Sequence, residues 1–201
     1  MFGSRPQTIE MLNIRQFDPR DNMSNERDRT EAKLLDGVAD LALAGDIQFV
    51  MDPEVRWEFA GLRDTYSPQK ALKGATITLV HPPVNHSRLL VDGHFVTGAD
   101  SLKVKLKEIH DLQERSLEAL DHPRYVAIRR ALGHVPGSKN SRNILADAFH
   151  LWCAEVGEAD YFLTLDGRLI NGVRGDRKLK LSTRLVWPSG LLSALATPEE
   201  A

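Results

Sequence analysis

Apolar residues along this chain alternate between short strand-like runs and longer runs with helical spacing. The strand-like runs cover residues 8–17, 47–51, 75–80, 161–165 and 185–187. The helix-like runs cover residues 26–44, 53–62, 101–120, 125–132, about 141–156 and 190–195. Because strands and helices alternate, the sequence predicts an α/β fold with a mainly parallel sheet. We expect the first strand near the middle of that sheet.

Capping residues set the expected ends of these helices. Gly45 follows the helix at 26–44 and is expected to end it, as Gly157 is expected to end the helix near 141–156. Ser141 or Asn143 is suited to cap the start of that late helix. Asp52 precedes a proline, so it is expected to cap the helix that follows the second strand.

Composition narrows the functional classes only a little. The 201 residues include 26 basic and 28 acidic side chains, for a net charge of −2. No global basic excess supports nucleic-acid binding, although a basic face can lie opposite an acidic site. The single cysteine, Cys153, excludes an intrachain disulfide and is expected to be buried. We expect one domain over residues 1–201, no membrane span and a cytoplasmic location, because neither a signal peptide nor a long apolar run is present.

Four acids stand near the ends of predicted elements: Asp18, Glu58, Asp147 and Asp166. A hard divalent cation that activates water needs several carboxylate oxygens from different elements. Taken singly, Asp147 is also explained by a helix dipole, and Asp166 by an Asp-Gly turn. Their order and spacing together favour a metal site. His150 is expected at the surface or the edge of the core, since such a site does not require imidazole.

The region 143–171 resembles the carboxyl half of a PIN domain. A helix carries the early Asp147, residues 159–162 (Ala-Asp-Tyr-Phe) enter a strand, and residues 164–169 give a Thr-x-Asp-x-x-Leu pattern. The closing residues 186–189 are similar to the last strand and helix of that family. Residues 51–59 are similar to the segment that delivers its second acid, here Glu58. The resemblance implies a Rossmann-like three-layer α/β/α fold.

The resemblance also implies an activity. PIN domains are usually ribonucleases in which Mg²⁺ or Mn²⁺, held by three or four acids, activates a water that hydrolyses the RNA phosphodiester. Asp147 and Asp166 would be metal ligands, Glu58 a direct or water-mediated ligand, and Asp18 the remaining ligand. Thr164 would orient Asp166 through its hydroxyl group, although an ordinary β-branched strand residue explains it equally well.

Two features depart from the family pattern. The Asp-Thr-Asn-like triplet that usually ends the first strand is absent, so Asp18 is the nearest positional match, with Asp21 and Glu10 as alternatives. The segment from about 74 to 136 is longer than the usual middle of the fold, so it is expected to be an insertion. An Asp-Gly pair in it predicts a hairpin over residues 87–96.

Other interpretations stay open. Lys139, Arg142 and Arg168 flank the two late acids and are candidates for contacts with RNA phosphates. The missing triplet is compatible with a catalytically inactive PIN-like module that binds RNA or protein. An unrelated α/β enzyme with magnesium-dependent phosphate chemistry is a third hypothesis. The family resemblance also allows an antitoxin-like or other protein partner, and a homodimer is a further expectation.

Overall fold

Strands and helices alternate along the chain in the computed structural model, which describes residues 7–11, 26–52, 72–84, 111, 114–176 and 178–196. The strands are β1 (Gln7–Met11), β2 (Ile47–Met51), β3 (Ile77–Leu79), β4 (Tyr161–Leu163) and β5 (Arg184–Val186). The helices are α1 (Glu26–Lys33), α2 (Leu35–Ala44), α3 (Pro123–Ala131), α4 (Ser141–Val156), α5 (Gly167–Gly175) and α6 (Pro188–Ala196). Residues 114–119 are also helical.

The strands form one parallel sheet in the order β3-β2-β1-β4-β5. β1 lies at its centre, where Ile9 is opposite Phe49 of β2 on one side and Tyr161 of β4 on the other. The prediction of an α/β fold with a mainly parallel sheet and a central first strand is confirmed. In such sheets, ligands bind at the carboxyl ends of the strands where the strand order reverses, here between β1 and β4.

Helices flank this sheet in a three-layer α/β/α arrangement. α1 and α2 pack with α6, whereas α4 and α5 both pack with α3. The sheet contributes Ile9, Phe49 and Phe162 to the core, each with no exposed surface. Burial of such side chains stabilises a domain by roughly 1.5–3 kcal/mol each. The buried sheet therefore fixes the positions of residues at its carboxyl edge.

An acid on α1 fixes the start of α6. Glu31 is buried, and its carboxylate accepts hydrogen bonds from the backbone amide of Ser189 at 2.9 Å and from the Ser189 hydroxyl at 2.7 Å. A carboxylate at a helix N-terminus satisfies an otherwise unpaired donor and interacts favourably with the helix dipole. Glu31 therefore joins the first and last described helices.

Several predicted boundaries need correction. The helix predicted at 26–44 divides at Leu34, whose backbone amide donates to the Glu31 carbonyl only three residues earlier. α2 does end at Gly45, which has a φ of 84°. The predicted caps Ser141 and Asn143 are wrong, because both lie inside α4 and Asn140 is its N-cap.

The second half of the chain holds one helix that was not predicted, α5. Its sequence, GRLINGVRG, contains three glycines, which lower helix propensity. An N-cap, Asp166, and the buried Leu169 and Ile170 offset that cost. Gly157 follows α4 as predicted, although the left-handed residue there is its neighbour Glu158, with a φ of 53°.

Both ends of the segment 74–136 belong to the core. β3 extends the central sheet, and α3 packs against α4 and α5. The hairpin predicted at 87–96, the helix predicted at 53–62 and most of the one predicted at 101–120 lie outside the described residues, so the insertion stays a prediction. No helix in the described ranges is long and apolar enough to cross a membrane.

Candidate active site

Asp147 and Asp166 line the same cleft, which α4, α5 and the end of α3 enclose. Its volume is about 130 Å³. Its polar lining consists of Asn140, Asn143, Asp147, Asp166 and Arg168, and its apolar lining of Leu132, Ile144 and Leu169. Since Asp166 follows β4, the cleft lies at the carboxyl end of that strand, where an α/β sheet binds its ligands.

Asp166 is the N-cap of α5. Its Oδ1 accepts backbone hydrogen bonds from Arg168 at 2.7 Å and from Leu169 at 3.3 Å. Its Oδ2 accepts from the Arg168 guanidinium at 3.2 Å. The side chain is only 11% exposed. The Asp-Gly pair is thus a strand-to-helix junction. One carboxylate oxygen accepts from backbone donors, and the other accepts from the exposed guanidinium of Arg168.

Thr164 fixes the backbone that carries Asp166. Its hydroxyl oxygen accepts a hydrogen bond from the Asp166 backbone amide at 3.0 Å, and Thr164 is fully buried. Its own amide donates to the Val186 carbonyl at 3.1 Å, which attaches it to β5. The hydroxyl therefore contacts the main chain of Asp166 and not its carboxylate, so any orienting effect is transmitted through the backbone.

Asp147 lies in the second turn of α4, where the helix N-terminus is no longer adjacent. The first turn of α4 holds no acid, and the helix dipole acts mainly within the first turn. Asn143 is four residues before Asp147 and Asn140 three before that, so all three share one stripe of α4. Leu145, on another face, is fully buried and anchors the helix. The dipole explanation for Asp147 is therefore weak.

Arg168 is the basic residue that enters the cleft. The hydrogen bond and charge of Asp166, helped by the charge of Asp147, raise the pKa of its guanidinium, against the opposing effect of partial burial. Lys139 and Arg142 stand on either side of the α4 N-cap, exposed and half-buried respectively. Neither contributes to the lining of the cleft, so these two candidates flank it.

A buried pair beside the cleft was not expected from the sequence. His150 Nδ1 lies 2.7 Å from Asp52 Oδ2, and the two side chains are 2% and 0% exposed. The distance is that of a hydrogen bond, and an ionised Asp52 would accept it from an Nδ1–H group of His150. The expectation of a surface or core-edge His150 is corrected to a fully buried one. Asp52 contacts His150 on α4. The helix that Asp52 is expected to cap, from residue 53 onward, lies outside the described residues, so that cap stays a prediction.

The remaining predicted acids fall outside the described part of the structure. Asp18, Asp21 and Glu58 belong to undescribed segments, and the side chain of Glu10 in β1 is likewise not described. Within the described ranges, no three His, Cys, Asp or Glu side chains lie close enough together to hold one metal ion. The structure therefore brings together two of the four proposed ligands, Asp147 and Asp166.

The donor chemistry of the cleft fits a hard cation. Carboxylate and amide oxygens of the types present here are those that Mg²⁺ and Mn²⁺ prefer, and Mg²⁺ commonly uses one or two carboxylates with water in its other positions. Asn140 and Asn143 had not been considered as site residues from the sequence, where Asn143 was only a candidate helix cap. Their spacing from Asp147 is the signal that could have identified them.

No family model matches this chain, and no curated protein matches its sequence significantly. The resemblance to PIN domains therefore depends on the residues quoted above, and membership of that family stays a hypothesis.

Proposed function

We propose that this protein is a divalent-cation-dependent ribonuclease of the PIN-like type, with the cleft between α4 and α5 as its active site. The observation that carries the proposal is that Asp147 and Asp166, from two different elements, line one cleft at the carboxyl end of a strand in a parallel sheet. Asp147 on α4 and Asp166 after β4 therefore lie together at the edge of the sheet where such folds bind ligands.

Each polar residue of the cleft has a role in this proposal. Asp147 and Asp166 would hold the cation through carboxylate oxygens, and Asp18 and Glu58 would supply further ligands. Arg168, whose side chain is 78% exposed, contacts a phosphate of the RNA. The amides of Asn140 and Asn143 orient water or phosphate oxygens beside Asp147. A bound Mg²⁺ or Mn²⁺ would activate water and offset the charge that develops on the phosphate.

A second candidate function is a catalytically inactive PIN-like module that binds RNA or protein. A specific observation favours it. Both oxygens of Asp166 already accept hydrogen bonds, and the acids described here number fewer than three in any one cluster. If the cleft binds cations weakly, then the cleft and the basic residues Lys139, Arg142 and Arg168 beside it would bind RNA or protein without cleaving RNA.

Cleavage of a labelled single-stranded RNA separates the two functions. We expect the wild type to cut it with Mn²⁺ or Mg²⁺ and to stop when EDTA is added. Asp147→Asn should abolish cutting, since it keeps the shape of the side chain but removes its charge. Asp176→Asn is the matched control, because that carboxylate accepts backbone hydrogen bonds from Lys178 and Leu179 at the far end of α5. RNA binding without cleavage by the wild type would favour the inactive module.

A further inference from the structure

Arg168 stands where helix electrostatics disfavours a cation. It is the second residue of α5, and the N-terminus of a helix carries partial positive charge. Arg174, in the last turn of the same helix, has the favourable placement. The position of Arg168 is therefore not explained by the stability of α5 alone.

The two acids of the cleft compensate for that placement. The Arg168 guanidinium donates to Asp166 Oδ2 at 3.2 Å. Asp147 lines the same cleft as Arg168 and Asp166, so both carboxylates share that cleft with the guanidinium. Arg168 is thus placed as a counter-cation for the same two acids that the proposed function assigns to a divalent ion.

The Arg168 side chain can leave this position at little cost. The side chain is 78% exposed, and an ion pair whose cation lies mostly in solvent contributes little to stability, although Asp166 is only 11% exposed. Its backbone amide, by contrast, is held by Asp166 Oδ1 as part of the helix cap. The guanidinium can therefore swing outward while α5 and the cap of Asp166 stay in place.

We propose that Arg168 is an internal counter-cation that competes with a divalent metal ion for Asp166 and Asp147, and that metal binding releases its guanidinium to an RNA phosphate. This inference rests on the proposed function for the identity of the two competing ligands. It gives Arg168 opposite effects in two measurements: it weakens metal binding and strengthens RNA binding. A residue with a purely structural role would not change the two in opposite directions.

Manganese titration by calorimetry tests the first half. Arg168→Gln keeps the backbone amide of the cap and most of the side-chain length but removes the charge. We expect it to bind Mn²⁺ about two- to five-fold more tightly than the wild type, the gain expected when a weak ion pair no longer competes. Arg174→Gln, on the same helix but in its last turn, is the control and should bind Mn²⁺ as the wild type does.

Fluorescence anisotropy with a labelled, cleavage-resistant phosphorothioate single-stranded RNA tests the second half, with intact RNA confirmed on a gel. We expect Arg168→Gln to bind RNA several-fold more weakly than Arg174→Gln when Mn²⁺ is present, and about equally in EDTA. Equal, measurable Mn²⁺ affinity in all three proteins would overturn the competition while leaving the metal site standing. No Mn²⁺ binding by any of them would overturn both. Tighter binding by Arg168→Gln with no RNA cleavage by the wild type would support the inference and contradict the nuclease function.

Discussion

The imidazole of His150 and the carboxylate of Asp52 form a buried hydrogen bond of 2.7 Å between α4 and the carboxyl end of β2. His150 is one helical turn beyond Asp147, so the pair attaches the helix that carries Asp147 to the sheet. A hydrogen bond to a buried charged group stabilises a fold by about 1.5–3 kcal/mol. The His150–Asp52 contact therefore positions the helix that carries Asp147, although neither residue lines the cleft.

Replacing Asp52 should measurably destabilise the protein. We expect Asp52→Asn to lower the free energy of unfolding by about 2 kcal/mol, because His150 loses a carboxylate partner at a site with almost no solvent exposure. Urea unfolding followed by circular dichroism measures the change. Asp46→Asn, at an exposed position before β2, should change stability by less than about 0.5 kcal/mol. Equal loss in the two variants would show that the buried pair contributes nothing particular.

The two roles of Asp166 can be separated by substitution. Serine caps helices well but has no carboxylate. Alanine has neither a capping oxygen nor a carboxylate. We expect Asp166→Ser to unfold close to the wild type and Asp166→Ala to lose about 1 kcal/mol. Both should lose cation-dependent RNA cleavage. If Asp166→Ser cleaves RNA at the wild-type rate, Asp166 is a helix cap and nothing more.

Two glycines of α5 should respond oppositely to alanine. A Cβ on Gly167 would lie 3.1 Å from the Trp187 ring, and that ring is itself buried with Arg27 stacked over it. We expect Gly167→Ala to cost about 1 kcal/mol, since a rigid ring must shift. Gly175 has nothing within 4 Å of such a Cβ, so Gly175→Ala should stabilise the protein by about 0.5 kcal/mol. Thermal unfolding of both variants checks the signs, and a stabilised Gly167→Ala would contradict the packing argument.

The sequence predicted the sheet and the two late acids but not the environment of those acids. Strand runs such as residues 47–51 are local patterns, and the helix end at Gly45 depends on a single residue. Both features could therefore be predicted from the sequence. The contact between Asp52 and His150 spans 98 residues, and no local pattern encodes it. α5 was not predicted because its three glycines lower the local helix propensity. The helix is stabilised by the Asp166 cap and by buried side chains.

The assignment of Asp18 as the first metal ligand is a prediction from the sequence, because Asp18 lies outside the described residues. If Asp18 is that ligand, Asp18→Ala should abolish cleavage as fully as Asp166→Ser, because ligands that act as a unit do not contribute additively. Titration of Mn²⁺ into both proteins provides a second measure, with a large loss of affinity expected in each. Wild-type affinity in Asp18→Ala would exclude Asp18 and direct the search to Asp21 or Glu10.

Anomalous diffraction from a crystal soaked in Mn²⁺ tests most directly whether the cleft between α4 and α5 is a cation site. The account predicts a strong anomalous peak in the cleft, within coordination distance of carboxylate oxygens of both Asp147 and Asp166, with the Arg168 guanidinium turned away from Asp166. A fully soaked crystal with no peak in the cleft, and with the Arg168–Asp166 contact intact, would contradict it.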